Sequence, residues 1–139
     1  MALSNEIEGD VAMGQATAPV SVLLVEDEIL ISNLVADWLA ERGFAVREIA
    51  TADEALRYIE EGGAVDVLFT DVNLPGKIDG AELAQRARAR RPDLPIVYAS
   101  GRVQATDLGG LVPRSIFLPK PYNREDVCTL LERLTSASH

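Results

Sequence analysis

The feature that most constrains this chain is an alternation. Five short apolar runs, Val20–Val25, Phe44–Ile49, Val65–Thr70, Pro95–Ala99 and Ser115–Leu118, are separated by segments of helical periodicity. The first run is rich in Val and Leu without polar alternation, as a strand buried on both faces requires. Between the first two runs, Leu30, Ile31, Leu34, Val35, Trp38 and Leu39 recur at helical spacing, and Gly43 closes the segment. Thr51 with Glu54 forms a capping box for a second helix, which Gly62-Gly63 end. Asp79 followed by Glu82 caps a third, with Leu83, Ala84 and Ala87 on its apolar face. Asn123 caps a last one carrying Val127, Leu130, Leu131 and Leu134. Strands alternating with helices in this way predict a doubly wound α/β domain, a five-stranded parallel sheet with helices on both faces.

The regular pattern runs over 20–134 and fits one domain. Residues 1–19 read as a flexible leader and 135–139 as a C-terminal tail. The stretch from Gly101 to Pro113 has the weakest pattern, because Gly109, Gly110 and Pro113 work against a long helix. The spacing there predicts a short or irregular element.

Composition mainly excludes functions. The net charge is −9, from 22 acidic and 13 basic residues, which argues against a phosphate-backbone ligand such as nucleic acid. The basic cluster Arg86, Arg88, Arg90 and Arg91 falls at a helix end, where cations complement the dipole or stay solvated. No window reaches the roughly 18 apolar residues of a membrane span. The start of the chain lacks the basic residues of a secretory signal. The single Cys128 has no partner for an internal disulfide. A cytoplasmic protein is the expectation.

In sheets of this kind the site lies beyond the carboxyl ends of the strands. The first strand ends into Glu26-Asp27-Glu28, the third into Asp71, the fourth into Ser100 and the fifth into Lys120. Three carboxylates, a hydroxyl and an amine therefore converge on one rim. Clustered carboxylates repel unless a cation neutralises them, and oxygen ligands with phosphate oxygens suit Mg²⁺. A carboxylate can act as nucleophile through an aspartyl-phosphate, and Asp71, before the turn Leu74-Pro75-Gly76, is the positioned candidate. Ser100 and Lys120 supply donors for phosphoryl oxygens.

The stretches LLVEDE (Leu23 to Glu28), FTDVNLPGKIDG (Phe69 to Gly80), VYASG (Val97 to Gly101) and FLPKPY (Phe117 to Tyr122) carry a resemblance to the receiver domain of two-component response regulators. The resemblance covers Val20 to about Leu134. It implies the flavodoxin-like receiver fold, with strand order 2-1-3-4-5 and five helices, the fourth of them here short or irregular. It implies Asp71 as phospho-acceptor, with Asp27, Asp71 and the Asn73 carbonyl as Mg²⁺ ligands and Glu26 reaching the metal through water. Ser100 and Lys120 match the hydroxyl and lysine that engage the phosphoryl group. The Lys120–Pro121 bond is expected to be cis. Ser100 and Phe117 match the family's switch residues, Phe117 lacking the hydroxyl of a Tyr. The loop Pro75 to Asp79 is one residue longer than the common form, which is expected to bring Lys77 near the site.

Plainer readings stand beside these. Glu26, Asp27 and Glu28 would serve as helix-capping anions, Asp71 as a turn former, Lys120 as a solvated rim residue, and Phe117 as core. The resemblance and the site residues favour a response regulator, and the short stretch after the last helix gives the expectation that it stands alone. Such a protein would be phosphorylated by a histidine kinase or histidine phosphotransfer protein, and would signal through protein contacts or onward phosphotransfer. It is expected to act on no external substrate, to bind neither nucleic acid nor membrane, and to be a monomer or weak dimer. The competing classes are a constitutive binding module of the same shape and a Mg²⁺-dependent hydrolase. The hydrolase would need a second carboxylate where Asn73 stands.

Overall fold

The computed structural model describes residues 18–101 and 111–136. The expected leader and the short or irregular element after Gly101 fall largely outside the described residues, as does the end of the tail. Five strands, β1 (Ser21–Val25), β2 (Ala45–Ile49), β3 (Val67–Asp71), β4 (Ile96–Ser100) and β5 (Ile116–Pro119), form one parallel sheet in the order β2-β1-β3-β4-β5. Four helices are present among the described residues: α1 (Ile29–Glu41), α2 (Ala52–Glu60), α3 (Gly80–Arg90) and α4 (Arg124–Ser136). The last continues past Leu134. This is the doubly wound order that the alternation and the resemblance predict. No described helix is long and apolar enough to cross a membrane.

Strand alternation divides the core in two. Leu23, Val25, Leu68, Ile96 and Tyr98 face one way and pack with α2 and α3. Val22, Leu24, Val67, Phe69, Val97 and Ala99 face the other and pack with α1 and α4. The three inner strands are buried from end to end except at Ser21, whereas β2, at the edge, buries fully only Ile49. That is why β2 tolerates Arg47 and Glu48. Arg47 lies over the Tyr58 ring, 5.2 Å from its centroid, and Glu48 accepts a hydrogen bond from the Ser32 hydroxyl at 2.8 Å.

The caps form as expected. The Thr51 hydroxyl accepts from the Glu54 amide at 3.2 Å and Asp79 from the Glu82 amide at 2.9 Å. Asn123 and Asp126 cap each other's amides at the start of α4. Gly43 ends α1 with a positive φ of 91°, a conformation a side chain would strain.

Two expectations change. Leu30 and Leu34, counted on the apolar stripe of α1, are 81 % and 50 % exposed, because Val35, Ala36 and Leu39 fill the contact with the sheet. The arginines at the end of α3 are not simply solvated. Arg88 donates to the carbonyls of Leu94, Pro113 and Arg114, Arg91 to that of Val65, and Arg86 pairs with Glu82.

Candidate phosphoryl-acceptor site

The strand order changes direction between β1 and β3, and the ends of these two strands carry the acidic residues. Asp71 is the last residue of β3 and 9 % exposed. Glu26 follows β1 directly and is buried, while Asp27 is exposed. One carboxylate oxygen from each of the three lies within 4.8 Å of the others. Lys120, just past β5, reaches back across the rim. Its Nζ donates to Glu26 Oε1 at 2.9 Å and to Asp71 Oδ2 at 3.0 Å. The following Lys120–Pro121 bond is cis, as the resemblance predicts.

The other donors complete the surround of Asp71. The Asn73 amide donates to Asp71 Oδ1 at 3.1 Å, so each oxygen of the carboxylate is engaged. The Asn73 side-chain amide donates to the Ser100 hydroxyl at 3.2 Å. The Lys120 backbone amide donates to the Ser100 carbonyl at 3.1 Å, binding the ends of β4 and β5 together. Glu26 Oε2 accepts from the Glu28 amide at 3.1 Å. A cleft of about 740 Å³ opens over these groups, lined by Asp27, Glu28, Asp71, Asn73, Ser100 and Lys120 among others.

The charges are mutually adjusted. Burial pushes the Glu26 carboxyl above its ordinary range, against the stabilising hydrogen bond from Lys120. Burial works against the Lys120 ammonium too, but its hydrogen bonds to Glu26 and Asp71 outweigh this and raise its pKa. Lys120 is therefore a fixed positive charge at neutral pH. Tyr122, packed on Phe69 with ring centroids 5.9 Å apart, has its phenol pushed up to about 12 by burial.

A backbone contact that the motif did not explain fixes the loop after β3. A Cβ on Gly80 would lie 1.8 Å from the Asp71 carbonyl oxygen, so only glycine fits there. The Gly80 amide donates to the Val72 carbonyl at 2.9 Å, and the Thr70 hydroxyl to the Asp71 carbonyl at 2.9 Å. The same loop is tied to α2, with the Lys77 amide donating to Asp53 Oδ2 at 3.1 Å. Leu74, Pro75 and Asp79 of this loop line the cleft, and Lys77 is not among the lining residues. Phe117 is half-buried against the α2–α3 side of the core.

A doubly wound parallel sheet with an acidic trio, a hydroxyl and a bridging lysine at its switch point defines a receiver-type α/β domain. The chain belongs to the response regulator receiver domain family, whose model matches residues 22–132. Sensor kinase CckA of Brucella abortus is 34 % identical over 117 residues, which cover 82 % of this chain and 12 % of that protein. The transcriptional regulatory protein TcrA of Mycobacterium tuberculosis is 35 % identical over 118 residues, 84 % of this chain and 46 % of that protein. The chain thus spans less than half the length of these relatives. Among solved structures, a response regulator receiver protein from Sinorhizobium medicae superposes with a TM-score of 0.82 at 30 % identity, covering 87 % of this chain and 98 % of that one. The receiver domain of the hybrid histidine kinase CckA superposes with a TM-score of 0.71 at 33 % identity, covering 83 % and 98 %.

Proposed function

We propose that the protein accepts a phosphoryl group on Asp71 from a phosphohistidine of a partner kinase or phosphotransfer protein, and signals by the resulting change in its surface. The observation that carries this is the arrangement around one carboxylate. Asp71 is held at both oxygens, by Lys120 and by the Asn73 amide, and opens onto the cleft with Ser100.

In the transfer, an Asp71 carboxylate oxygen attacks phosphorus, a P–O bond forms and the P–N bond to the histidine breaks. The bonding pair returns to the imidazole nitrogen, which leaves neutral when its other nitrogen carries the proton. Lys120 balances the negative charge gathered on the acyl phosphate, and the Ser100 hydroxyl turns from Asn73 to a phosphoryl oxygen. Because Lys120 is already pinned between Glu26 and Asp71, little reorganisation is needed at the moment of transfer.

The all-oxygen donor set fits a hard divalent cation. Mg²⁺ would be held by Asp27, Asp71 and the Asn73 carbonyl, with Glu26 acting through water, and would supply charge neutralisation for the incoming phosphoryl oxygens. Output through protein contacts or onward phosphotransfer, in the cytoplasm and as a monomer or weak dimer, belongs to the same reading. Its acidic balance disfavours nucleic acid as the target.

The test is transfer from a purified phosphorylated histidine phosphotransfer protein in Mg²⁺. Label moving to this chain and not to Asp71→Asn supports the reading. Label that stays on the donor, or that moves equally to the variant, overturns it.

A further inference from the structure

Tyr98 lies at the middle of β4 and is fully buried. It is the one tyrosine among the fully buried residues of the α2–α3 side of the core, whose other buried members are aliphatic. A purely apolar residue would fill that place without the cost of burying a phenol, so its hydroxyl needs a partner. The partner is the backbone of the segment entering β5, where the Val112 amide donates to the Tyr98 oxygen at 3.0 Å.

Three anchors hold that segment, Leu111 to Ser115, beside a longer hydrogen bond from Arg114 to the Pro92 carbonyl at 3.4 Å. The Ser115 hydroxyl donates to the Val112 carbonyl at 2.6 Å, closing the segment on itself. Arg88 of α3 donates to the carbonyls of Pro113 and Arg114 at 2.8 and 3.2 Å. The Tyr98 bond alone among these three ties it to the strand that ends in Ser100. Tyr98 precedes Ser100 by two residues and so shares its face of β4. In register it sits opposite Thr70 of β3 and Phe117 of β5. The segment leads directly into Phe117 and Lys120.

We propose that the Tyr98 hydroxyl is the link through which the state of Ser100 reaches the Leu111–Ser115 segment and the start of β5. When the end of β4 shifts, the phenol carries the Val112 amide with it, while Arg88 holds the neighbouring carbonyls to α3. The segment must then twist between a moving anchor and a fixed one. Phe117 has no hydroxyl of its own, and Tyr98, its register partner, is the phenol placed to sense the shift. This inference rests on Asp71 being the acceptor.

The test is hydrogen exchange of the full chain, wild type and Tyr98→Phe, with Mg²⁺ and with or without beryllofluoride, followed by peptides covering 69–80 and 111–119. Wild type is expected to change exchange in both regions. Tyr98→Phe is expected to change only 69–80, with 111–119 exchanging faster by roughly fivefold and indifferent to beryllofluoride, the factor one net hydrogen bond represents. Phosphoryl uptake is expected to stay at the wild-type rate.

A wild-type-sized response at 111–119 in the variant overturns the link. So does a wild type that responds at 69–80 and not at 111–119. If wild type responds in neither region, the acceptor reading itself falls and the link with it. A second measurement covers a variant that fails to fold. With fluorotyrosine at the three tyrosines, assigned through Tyr58→Phe and Tyr122→Phe, the Tyr98 fluorine resonance must move when beryllofluoride binds. A fixed resonance overturns the link.

Discussion

Replacing Lys120 with methionine keeps the aliphatic stem and deletes the charge, and the structure gives the size of the effect. The ammonium makes two ion pairs, at 2.9 Å to Glu26 and 3.0 Å to Asp71, with carboxylates 4 % and 10 % exposed. At an effective dielectric near 20, each pair is worth about 5 kcal/mol in Coulomb terms, most of it offset by desolvation. What decides the outcome is the asymmetry of breaking such a cluster, because two carboxylates are left facing each other without their cation. Removing one partner of a buried pair costs about 3–5 kcal/mol. Lys120 keeps 18 % of its side chain exposed, so water can partly replace it and the lower end, about 3 kcal/mol, applies. For a domain of this size that is a fall in Tm of roughly 10 °C. The assay is thermal and urea unfolding of wild type and Lys120→Met, in EDTA and in saturating Mg²⁺. The deficit is expected in EDTA and should shrink by about half or more in Mg²⁺, because a bound cation stabilises the native state and compensates the same carboxylates. Equal stability in EDTA, or a deficit unchanged by Mg²⁺, would refute the reasoning.

Three further outcomes are expected. Gly80→Ala forces a Cβ to within 1.8 Å of the Asp71 carbonyl oxygen, a backbone atom that cannot rotate away. It should cost about 3 kcal/mol or more by urea unfolding and impair phosphoryl uptake, and a neutral result would show that the close approach is not rigid. Thr51→Ala removes the α2 cap and should cost about 1 kcal/mol while leaving phosphoryl uptake unchanged. Tyr122 keeps its proton in the fold up to about 12, while the unfolded phenol loses it near 10. The native state then binds the extra proton, so stability falls as pH rises from about 10 to 12, by roughly 2–3 kcal/mol at most from this group. Tyr122→Phe should flatten the stability–pH curve in that window, though not abolish its slope, since burial raises the Tyr98 phenol as well.

Much of this was legible in the sequence because the inner strands leave little choice. Val22 to Val25, Val67 to Thr70 and Ile96 to Ala99 are buried on both faces and so read as unbroken apolar runs. Once their order is fixed, the strand-end rule alone brings Glu26, Asp27, Asp71, Ser100 and Lys120 to one rim. Periodicity reports which residues share a helix face, and cannot say how much of that face the sheet covers. Leu30 and Leu34 stayed in solvent for that reason. Nor does it say where a long polar side chain goes, and Arg88 proved to clasp three loop carbonyls. The Asn73–Ser100 hydrogen bond and the Gly80 contact depend on distances between segments far apart in sequence. The glycine after Asp79 was the one local sign of the second.

The most direct test of the central claim is intact-protein mass after incubation with Mg²⁺ and acetyl phosphate, sampled at short times beside Asp71→Asn. The expected result is a single added phosphoryl mass in the wild type, labile at alkaline pH, and none in the variant. An adduct of equal size in the variant, or no adduct in the wild type at any time point together with no binding of beryllofluoride, would contradict the account.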